Sequence, residues 1–525
     1  MQSPQDHQHP AHREFRVVFH GLRVWDSGEI IDVALPPAPL DHILDDTGLF
    51  ADHRSSGPSD AATIDIDASG LTIAPGLCDP HVHFRDPGQR DKEDMLSGCR
   101  SAAAGGFTSV LLMPNTSPAM DGKRIRTGQD HESVSASDAH GRQEVTQAGF
   151  DSVIDYVQHY AQSHQVTLPA KYLLSVCASV NRAGVEASDP GDWKGYLRDS
   201  VRQLTPGHAM REHPVVAISD DGSAVTSQTL ADVGRHARRY SLPILDHCEH
   251  HDSGVMNEGQ TSRSMGLPGI PASTELKIVA RDIEFARSTG IHMHLQHVST
   301  ALAFDAIRKA KAEGLPISCE TAPHYLALCD EDVKRFGTMA KMNPPLRSAA
   351  DRDATLAAIA DGTVDMLATD HAPHTILEKE RSMMESPNGI IGLETAYGVC
   401  HRVLVDGGVI DDARLIELMS LAPAKLMGVE APDVSALLNA CDDGRNSRSG
   451  RRMLDLSKVN DAHAQDFTML DTTEAWVVES QDFHSKARNT PFQGMSVSGR
   501  AQMTVVDAAI AFNRLPVTRL MQADR

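Results

Sequence analysis

The chain of 525 residues carries 49 lysines and arginines against 71 aspartates and glutamates, a formal net charge of −22 at pH 7. Its hydrophobic share of 41% excludes global disorder, and the net acidity argues against a nucleic-acid-binding surface or attachment to anionic lipid. No run of about 18 apolar residues predicts a membrane span. We therefore expect a protein that binds a small molecule and has no nucleic-acid or membrane partner.

The start of the chain and the cysteines indicate the compartment. Residues 1–13 are polar and lack the apolar stretch of a secretion signal, so we expect a flexible tail on a cytoplasmic protein. The eight cysteines are scattered without CxxC pairs. This spacing disfavours both a disulfide framework and a zinc site made of four thiolates.

Strand-like patterns near both ends of the chain predict one small β-domain. Residues 14–75 open with the hairpin pattern FRVVFHGLRVWDSGEIIDVAL, lose periodicity in an irregular insertion at 36–60, and resume with TIDIDASGLTIAP. Strand-like runs return in residues 463–525, as DFTMLD, AWVVES and AQMTVVDAAIAF. The polar stretch before them, 431–462, is predicted to be a surface insertion.

The central region, residues 76–430, alternates short apolar runs with amphipathic segments that end at glycine. Eight strand-helix units of this kind fit an α/β fold, a (β/α)8 TIM-like barrel. No GxGxxG or GxxxxGK[ST] motif is present, so the usual signature of a nucleotide site is missing. The eight runs are LTIAPGLCDPHVH, TSVLLMPN, KYLLSVCAS, PVVAISD, PILDHCE, IHMHLQHVS, PISCETAPH and VDMLATDHAP.

Histidines and aspartates stand where these predicted strands end. In a β/α barrel the carboxyl ends of the strands surround the active site, so polar residues there are candidates for function. His81 and His83 are two residues apart, which on a strand places both side chains on one face with Cα atoms roughly 6.6 Å apart. Histidine and carboxylate ligands without thiolates suit zinc in a hydrolytic site. The other candidates at strand ends are Asp220, His247, His297 and Asp370.

Several further side chains could bind an anionic substrate. Arg85 follows His83 by two residues and can hold a carboxylate with both arms of its guanidinium, although a salt bridge to Asp86 or Asp91 would explain it equally well. Turn-like contexts contain three more candidates, Asn115, Asn343 and His374. Glu320 and His324 are expected to be supporting or structural groups.

These motifs resemble those of the class I dihydroorotases, a branch of the amidohydrolase superfamily. The resemblance runs in motif order from about Ile73 to Gly428 and extends more weakly into DFHSKARNTPFQG. Three stretches, 36–60, about 124–146 and 432–462, look longer than the family pattern requires. The matching segments are PGLCDPHVHFRDPG, AAAGGFTSVLLMPNTSP, SDDG, DHCE, QHVST, MNPPLR, ATDHAPHT and GIIGLETA.

The resemblance implies a role for each candidate metal ligand. His81, His83 and Asp370 would bind one zinc, and His247 and His297 a second, so that one or two ions are expected. Asp220 would bridge them in place of the carbamylated lysine found in many superfamily members, because HPVVAISDDG contains no lysine. The alignment favours the first aspartate of SDDG, while strand alternation points the two aspartates to opposite faces.

The resemblance also implies a mode of substrate binding. The substrate carboxylate would contact Arg85, Asn115 and His374, with His83 close to both metal and substrate. The pyrimidine ring would be held by Asn343 and by the backbone around Asn388 and Gly389. Asp370 would be the catalytic acid–base, taking a proton from water and returning it to the leaving nitrogen.

The implied activity is that of a zinc-dependent dihydroorotase, which interconverts N-carbamoyl-L-aspartate and L-dihydroorotate plus water in pyrimidine (UMP) biosynthesis. Hydantoinases, dihydropyrimidinases and allantoinases are alternatives, but they favour a carbamylated lysine and do not require the arginine of FRDPG. A non-catalytic dihydroorotase-like partner of aspartate transcarbamoylase is another, but such chains lose metal ligands. The resemblance is compatible with a homo-oligomer or with a complex with that transcarbamoylase.

Overall fold

The computed structural model describes residues 14–40, 43–51, 62–125, 149–249, 254–441, 450–459 and 465–521. The predicted tail at 1–13 lies outside the described residues. So does most of the stretch 124–146, with parts of 36–60 and 432–462. Within the described ranges no helix is both long and apolar enough to span a bilayer.

The described residues form nineteen strands. They are β1 Glu14–Val24, β2 Ile30–Ala34, β3 Ala38–Pro39, β4 Ala62–Asp67, β5 Thr72–Pro75, β6 Leu77–Val82, β7 Phe107–Leu112, β8 Lys171–Cys177, β9 Val215–Ser219, β10 Ile244–His247, β11 Met256–Asn257, β12 Gly269–Ile270, β13 Met293–Gln296, β14 Ile317–Thr321, β15 Met366–Leu367, β16 Met453–Asp455, β17 Phe467–Val477, β18 Ser496–Val506 and β19 Ala509–Asn513.

Helices fill the connections between the central strands. The longest, Ser273–Thr289, matches a predicted amphipathic segment and ends at Gly290, whose φ of +69° favours glycine. The others are Met95–Ala104, Val153–Gln158, Tyr160–His164, Pro190–Trp193, Arg198–Val201, Ala209–Glu212, Ser227–Tyr240, Gln260–Met265, Ala301–Ala312, Pro323–Ala327, Val333–Phe336, Ala349–Ala360, Ile376–Lys379, Ala396–Cys400, Asp412–Ile416, Ala422–Met427 and Val434–Cys441, with wider turns at His401–Val405 and Glu417–Leu421.

Eight parallel strands form a nearly closed barrel. The strand order is β15-β14-β13-β10-β9-β8-β7-β6, and the His83 amide donates to the His371 carbonyl at 2.9 Å across the seam. Strands β6 and β7 are buried along their whole length, since a barrel strand is covered by packed side chains inside and by helices outside. The predicted (β/α)8 barrel is confirmed.

A second sheet joins the two ends of the chain. Its order is β16-β2-β1-β5-β17-β18-β19, with β3 and β4 paired to β1, and β17 runs antiparallel to β5. Only Gly76 separates β5 from the first barrel strand. A Cβ at this position would lie 2.1 Å from Thr108 Oγ1, so the junction requires glycine.

The stretch 431–462 differs from the predicted surface insertion. Its described part contributes the helix Val434–Cys441 and strand β16, which pairs with β2. Val434, Leu438 and Leu454 are buried in the core of the β-domain. The polar centre of the stretch suggested exposure, but Val434 and Leu438 stand four residues apart, a spacing that places both on one helix face.

The described residues of the stretch 36–60, which are 36–40 and 43–51, contribute to the same core. Its described residues form only the two-residue strand β3, yet Leu40, Leu49 and Phe50 are buried against the sheet. The loss of periodicity in the sequence therefore gave no information about burial.

Truncating Leu438 to alanine tests whether the helix at 434–441 belongs to the core. The side chain is 1% exposed, so Leu438→Ala should lower the free energy of unfolding by about 2–5 kcal/mol, measured by urea denaturation. The exposed Ala436→Ser on the same helix is the control and should change it by less than about 0.5 kcal/mol. Equal effects of the two substitutions would contradict the assignment.

Candidate metal centre and substrate pocket

The carboxyl ends of the barrel strands bring histidines and carboxylates together. Possible ligand atoms of His81, His83 and Asp370 all lie within 4.8 Å of one another, as do those of His81, Asp221 and His297. His81 belongs to both groups, which share one buried volume. The spacing of His81 and His83 places both on one face of a strand, and the ends of other barrel strands bring the remaining ligands to them, as expected.

A buried carboxylate orients His81. Nδ1 of His81 donates to Glu320 Oε1 at 2.6 Å, and Glu320 Oε2 accepts from His294 Nε2 at 3.0 Å. This fixes the imidazole with Nε2 facing the cluster, 3.3 Å from Asp221 Oδ1 and 3.6 Å from Asp370 Oδ1. Such a carboxylate–histidine pair is the usual support of a metal-binding imidazole. Glu320 has the supporting role expected from the sequence.

The other three histidines complete the cluster. His83 Nδ1 donates to Asn115 Oδ1 at 2.8 Å, and its Nε2 lies 3.1 Å from Asp370 Oδ1. His247 Nδ1 and His297 Nε2 face each other at 2.7 Å, and Asn343 Nδ2 lies 3.1 Å from His247 Nε2.

The two neighbouring aspartates point in opposite directions, and this corrects one prediction. Asp221, not Asp220, lies among the histidines, with Oδ2 3.2 Å from His83 Nε2 and Oδ1 3.4 Å from His247 Nδ1. The carboxylate of Asp220 instead accepts hydrogen bonds from the Ser179 amide, at 3.0 Å, and from the Ser179 hydroxyl. The position that the resemblance assigned to Asp220 is therefore occupied by Asp221.

Strand alternation contains the signal that distinguishes the two. Ser219 Oγ lies 3.5 Å from Gln296 Oε1 inside the barrel. Two residues further on, Asp221 shares that inward face, whereas Asp220 points away from it.

The cluster has the properties of a cation site. Three of its buried atoms, His81 Nε2, Asp221 Oδ1 and His297 Nδ1, have no hydrogen-bond partner within the described part of the chain. Buried polar atoms are rarely left unpaired, so a bound cation would satisfy them. The backbone is also strained here, since His297 and Asp370 have φ of +39° and +48°, a region that side chains other than glycine rarely adopt. Nitrogen and oxygen donors fit a divalent transition metal.

Opposite charges offset the cost of burial in this cluster. Burial by itself would raise the pKa of Asp370, but His81 and His83 outweigh it and lower that pKa to about 2. Burial would likewise lower the pKa of His81, but Asp221 and Glu320 hold it well above its ordinary value. The site is therefore rich in buried negative charge that attracts protons or metal ions.

A cavity of about 310 Å³ opens above the cluster. Arg85 reaches it with Nε donating to the Pro373 carbonyl at 3.3 Å. Asp86 pairs with Arg90 at 3.2 Å, so the salt bridge considered for Arg85 is made by another arginine. Burial lowers the pKa of Arg85 to about 10, which leaves the guanidinium charged at neutral pH. The lining comprises His83, Arg85, Gln89, Lys92, Asn115, Arg182, Asp221, Gly222, His247, His297, Asn343, Asp370, Ala372, His374, Asn388 and Gly389.

Asn489, from the C-terminal part of the chain, holds one wall of this cavity. Its Oδ1 accepts from the His374 amide at 3.0 Å, and its Nδ2 donates to the carbonyls of Ala372 and Gly389 at 3.0 and 3.1 Å. His374 Nε2 in turn donates to the Asn388 carbonyl at 2.7 Å. The side chain of Asn489 is fully buried.

Lys379 fixes the same wall from behind. Its buried ammonium donates to the carbonyls of Gly389, Pro387 and Lys341 at 2.9, 3.0 and 3.2 Å. Burial lowers its pKa to about 7. The backbone of Asn388 and Gly389 is therefore held in part by Lys379, a residue that does not itself line the cavity.

The structure brings together every predicted site residue except Asp220. The residues of the cluster, the cavity lining and its support that the sequence did not identify include Asp221, Gln89, Lys92, Arg182, Gly222, Ala372 and Asn489. Asn489 stands in the weakly matching motif DFHSKARNTPFQG, which was a usable signal. For Gln89, Lys92 and Arg182 the sequence offers none beyond proximity to strand ends.

Comparison with known proteins agrees with this arrangement. The amidohydrolase family pattern matches residues 72–432, which include every residue of the cluster. The chain belongs to the amidohydrolase family. This amidohydrolase is 35% identical to a dihydroorotase of Geobacter metallireducens over 494 residues, 93% of this chain and 98% of that protein. It is 36% identical to a dihydroorotase of Lactiplantibacillus plantarum over 468 residues, 88% and 91% of the two chains.

Solved structures of other amidohydrolases share the fold. The L-hydantoinase (dihydropyrimidinase) of Arthrobacter aurescens superposes with a TM-score of 0.64 at 20% identity, over 95% of this chain and 96% of that one. The D-hydantoinase (dihydropyrimidinase) of a Thermus species gives 0.64 at 19% identity, over 95% of each chain. At such identities the likeness concerns the fold alone.

Removing the side chain of Asn489 should disturb substrate binding without touching the metal cluster. In Asn489→Ala the His374 amide and two carbonyls lose their partners. The wall should then relax away from the geometry that binds substrate, and we expect KM for the substrate to rise about tenfold, which corresponds to about 1.4 kcal/mol of binding. Metal content, measured by inductively coupled plasma mass spectrometry, should stay unchanged. Unchanged KM in a folded variant would show that the wall holds without Asn489.

Proposed function

We propose that this amidohydrolase is a zinc-dependent dihydroorotase that interconverts L-dihydroorotate plus water and N-carbamoyl-L-aspartate. The observation that carries the proposal is the guanidinium of Arg85, which reaches into the cavity beside the metal cluster. A hydrolytic cluster next to a cation suits a cyclic amide that bears a carboxylate. The relatives named dihydroorotase support the same assignment.

The proposed metal ligands are drawn from the cluster. His81, His83 and Asp370 would hold one zinc and His247 and His297 a second, with Asp221 between them. A divalent cation in such a site polarises a carbonyl oxygen and makes water more acidic. Glu320 supports this set by keeping Nε2 of His81 directed into the cluster.

Asp370 would carry the proton. In hydrolysis its carboxylate takes a proton from water as oxygen adds to the ring carbonyl carbon, and returns it to the ring nitrogen as the C–N bond breaks. In ring closure the substrate carboxyl group is protonated from solvent, and the Asp370 carboxylate would move the proton of the attacking nitrogen to the leaving hydroxyl, which departs as water. His83 Nε2, 3.1 Å from Asp370 Oδ1, keeps this oxygen at the cluster.

The remaining cavity residues would position the substrate. Arg85, Asn115 and His374 would bind its carboxylate, and a substrate without one would leave a buried guanidinium unpaired. Asn343 and the backbone of Asn388 and Gly389 would hold the ring. His83 borders both metal and substrate.

Two other functions fit less well. A hydantoinase or related enzyme is compatible with the fold, but Arg85 would then lack a carboxylate to bind. A non-catalytic partner of aspartate transcarbamoylase is opposed by the complete ligand set, because a scaffold has no need of six converging metal-binding side chains.

We also propose a cytoplasmic homo-oligomer, alone or with aspartate transcarbamoylase. Three exposed apolar side chains, Ile376, Leu377 and Met384, follow His374 along the chain and offer surface for such contacts. The mass of the purified protein in solution, with and without added transcarbamoylase, tests this.

A substrate panel decides the function. Protein of measured metal content should turn over dihydroorotate and carbamoyl aspartate. It should turn over dihydrouracil, hydantoin and allantoin at least about a hundredfold more slowly, because these three compounds lack the carboxylate. The Asp370→Ala variant is the control against contaminating enzyme and should be at least about a hundredfold slower on dihydroorotate, the contribution of a general acid–base. Preference for a neutral ring would overturn the proposal in favour of a hydantoinase.

The two neighbouring aspartates give a matched test of the metal site. Asp221→Asn should lower zinc content and activity by at least about tenfold, because an amide is a poorer ligand than a carboxylate. Asp220→Asn changes the same charge one residue away and should retain its zinc. Loss of zinc in Asp220→Asn alone would reverse the assignment.

A further inference from the structure

Arg182 is held in an unusual conformation at the rim of the cavity. It follows barrel strand β8 in the turn Val180–Arg182, where Asn181 and Arg182 have φ of +50° and +56°. Left-handed backbone at two successive residues other than glycine costs free energy and persists only when other contacts enforce it. Here the Asn181 amide donates to Asp121 Oδ2 at 3.0 Å and the Arg182 amide to the Ser179 carbonyl at 3.0 Å. The turn therefore directs the side chain of Arg182 into the cavity lining.

The guanidinium of Arg182 has no acidic partner among the residues that the structure describes. Its Nε donates to the Asp220 carbonyl at 3.4 Å, just as Arg85 Nε donates to the carbonyl of Pro373. Each arginine is thus tethered through Nε and keeps its terminal NH2 groups for the cavity. Lys92, another cation of the lining, is instead neutralised by Glu378 at 2.9 Å.

Gly222 places Arg182 next to Asn115. A Cβ built on Gly222 would lie 2.6 Å from Arg182 Nη2 and 3.7 Å from Asn115 Nδ2, so the guanidinium and the amide border the same space. Gly222 has φ of +85° and directly follows Asp221, so the backbone approaches the cluster where a side chain would displace the guanidinium. Asn115 is a proposed contact of the substrate carboxylate.

Two guanidinium groups in one small cavity repel each other unless an anion lies between them. Arg85 and Arg182 line the same cavity of about 310 Å³. A planar carboxylate can accept hydrogen bonds from both forks and removes the repulsion.

We propose that Arg182 is a second guanidinium for the substrate carboxylate, acting beside Asn115 as a specificity-determining residue. The inference rests on the proposed dihydroorotase activity. Dihydroorotate and N-carbamoyl-aspartate both keep this carboxylate throughout the reaction, so Arg182 stabilises the bound ground states and the transition state equally. Loss of such uniform binding raises KM and leaves kcat nearly unchanged.

The test replaces Arg182 with residues that tolerate a positive φ. Arg182→Asn and Arg182→Gly remove the guanidinium without adding backbone strain, and Arg202→Gln, at an exposed arginine, is the matched control. We expect KM to rise about tenfold in both directions of the reaction, the order of one charge-assisted hydrogen bond, with kcat within about threefold. Inhibition by dihydrouracil, which has no carboxylate, should not change. Arg202→Gln should match the wild type.

Each other outcome has a distinct meaning. If the wild type turns over dihydroorotate and both Arg182 variants keep their KM within about twofold, the inference is overturned and the proposed function stands. A fall in kcat with unchanged KM would also overturn the inference. The same holds if inhibition by dihydrouracil weakens as much as binding of dihydroorotate, because Arg182 would then only shape the site. If the wild type does not turn over dihydroorotate, the proposed function fails and the inference falls with it.

Discussion

The buried negative charge of Asp221, Asp370 and Glu320 is the constraint on which the site depends. Carboxylates removed from water are costly unless hydrogen bonds and opposite charges offset the loss of hydration. The barrel provides this compensation through side chains that point inward from neighbouring strands, above all His81, which lies between Glu320 and Asp221. The imidazoles compensate only in part, because the nitrogen of His81 that faces Asp221 has no hydrogen bond of its own. A metal ion bound by these side chains would therefore complete the electrostatics of the fold as well as supply chemistry.

The small β-domain and the C-terminal part of the chain belong to the same functional unit as the barrel. Strand β17 pairs with β5, and β5 continues into the first barrel strand across Gly76. From this anchored segment Asn489 reaches the wall that carries His374 and Gly389. The segment that carries Asn489 is also held by Glu93, which accepts a hydrogen bond from the Lys486 amide at 3.1 Å. Folding of the two chain ends together is thus a condition for the shape of the cavity.

The sequence predicted the barrel, because eight apolar runs separated by amphipathic segments leave few alternative folds. It also predicted most of the cluster, since residues at strand ends converge whatever the details of the loops. It failed where one residue decides the direction of a side chain, as between Asp220 and Asp221. The resemblance favoured Asp220, and strand alternation indicated only that the two side chains point to opposite faces. It could not identify Lys92 or Arg182, because loop conformation places them and no periodic pattern encodes it. In 431–462 the polar centre concealed the helical spacing of Val434 and Leu438.

The distinction between a dihydroorotase and a hydantoinase lies in the cavity and not in the barrel. Hydantoinases superpose on nearly the whole chain at a TM-score of 0.64, so strand order and helix packing do not select the substrate. Cations in the cavity can do so, because a desolvated guanidinium favours an anion and penalises a neutral ring. The overall charge of −22 gives no hint of this selectivity. Repulsion by distant surface carboxylates is screened within about 10 Å at 0.1 M salt. Arg85 and Arg182 would act at contact distance in the proposed complex, so a strongly acidic protein can still bind an acidic substrate.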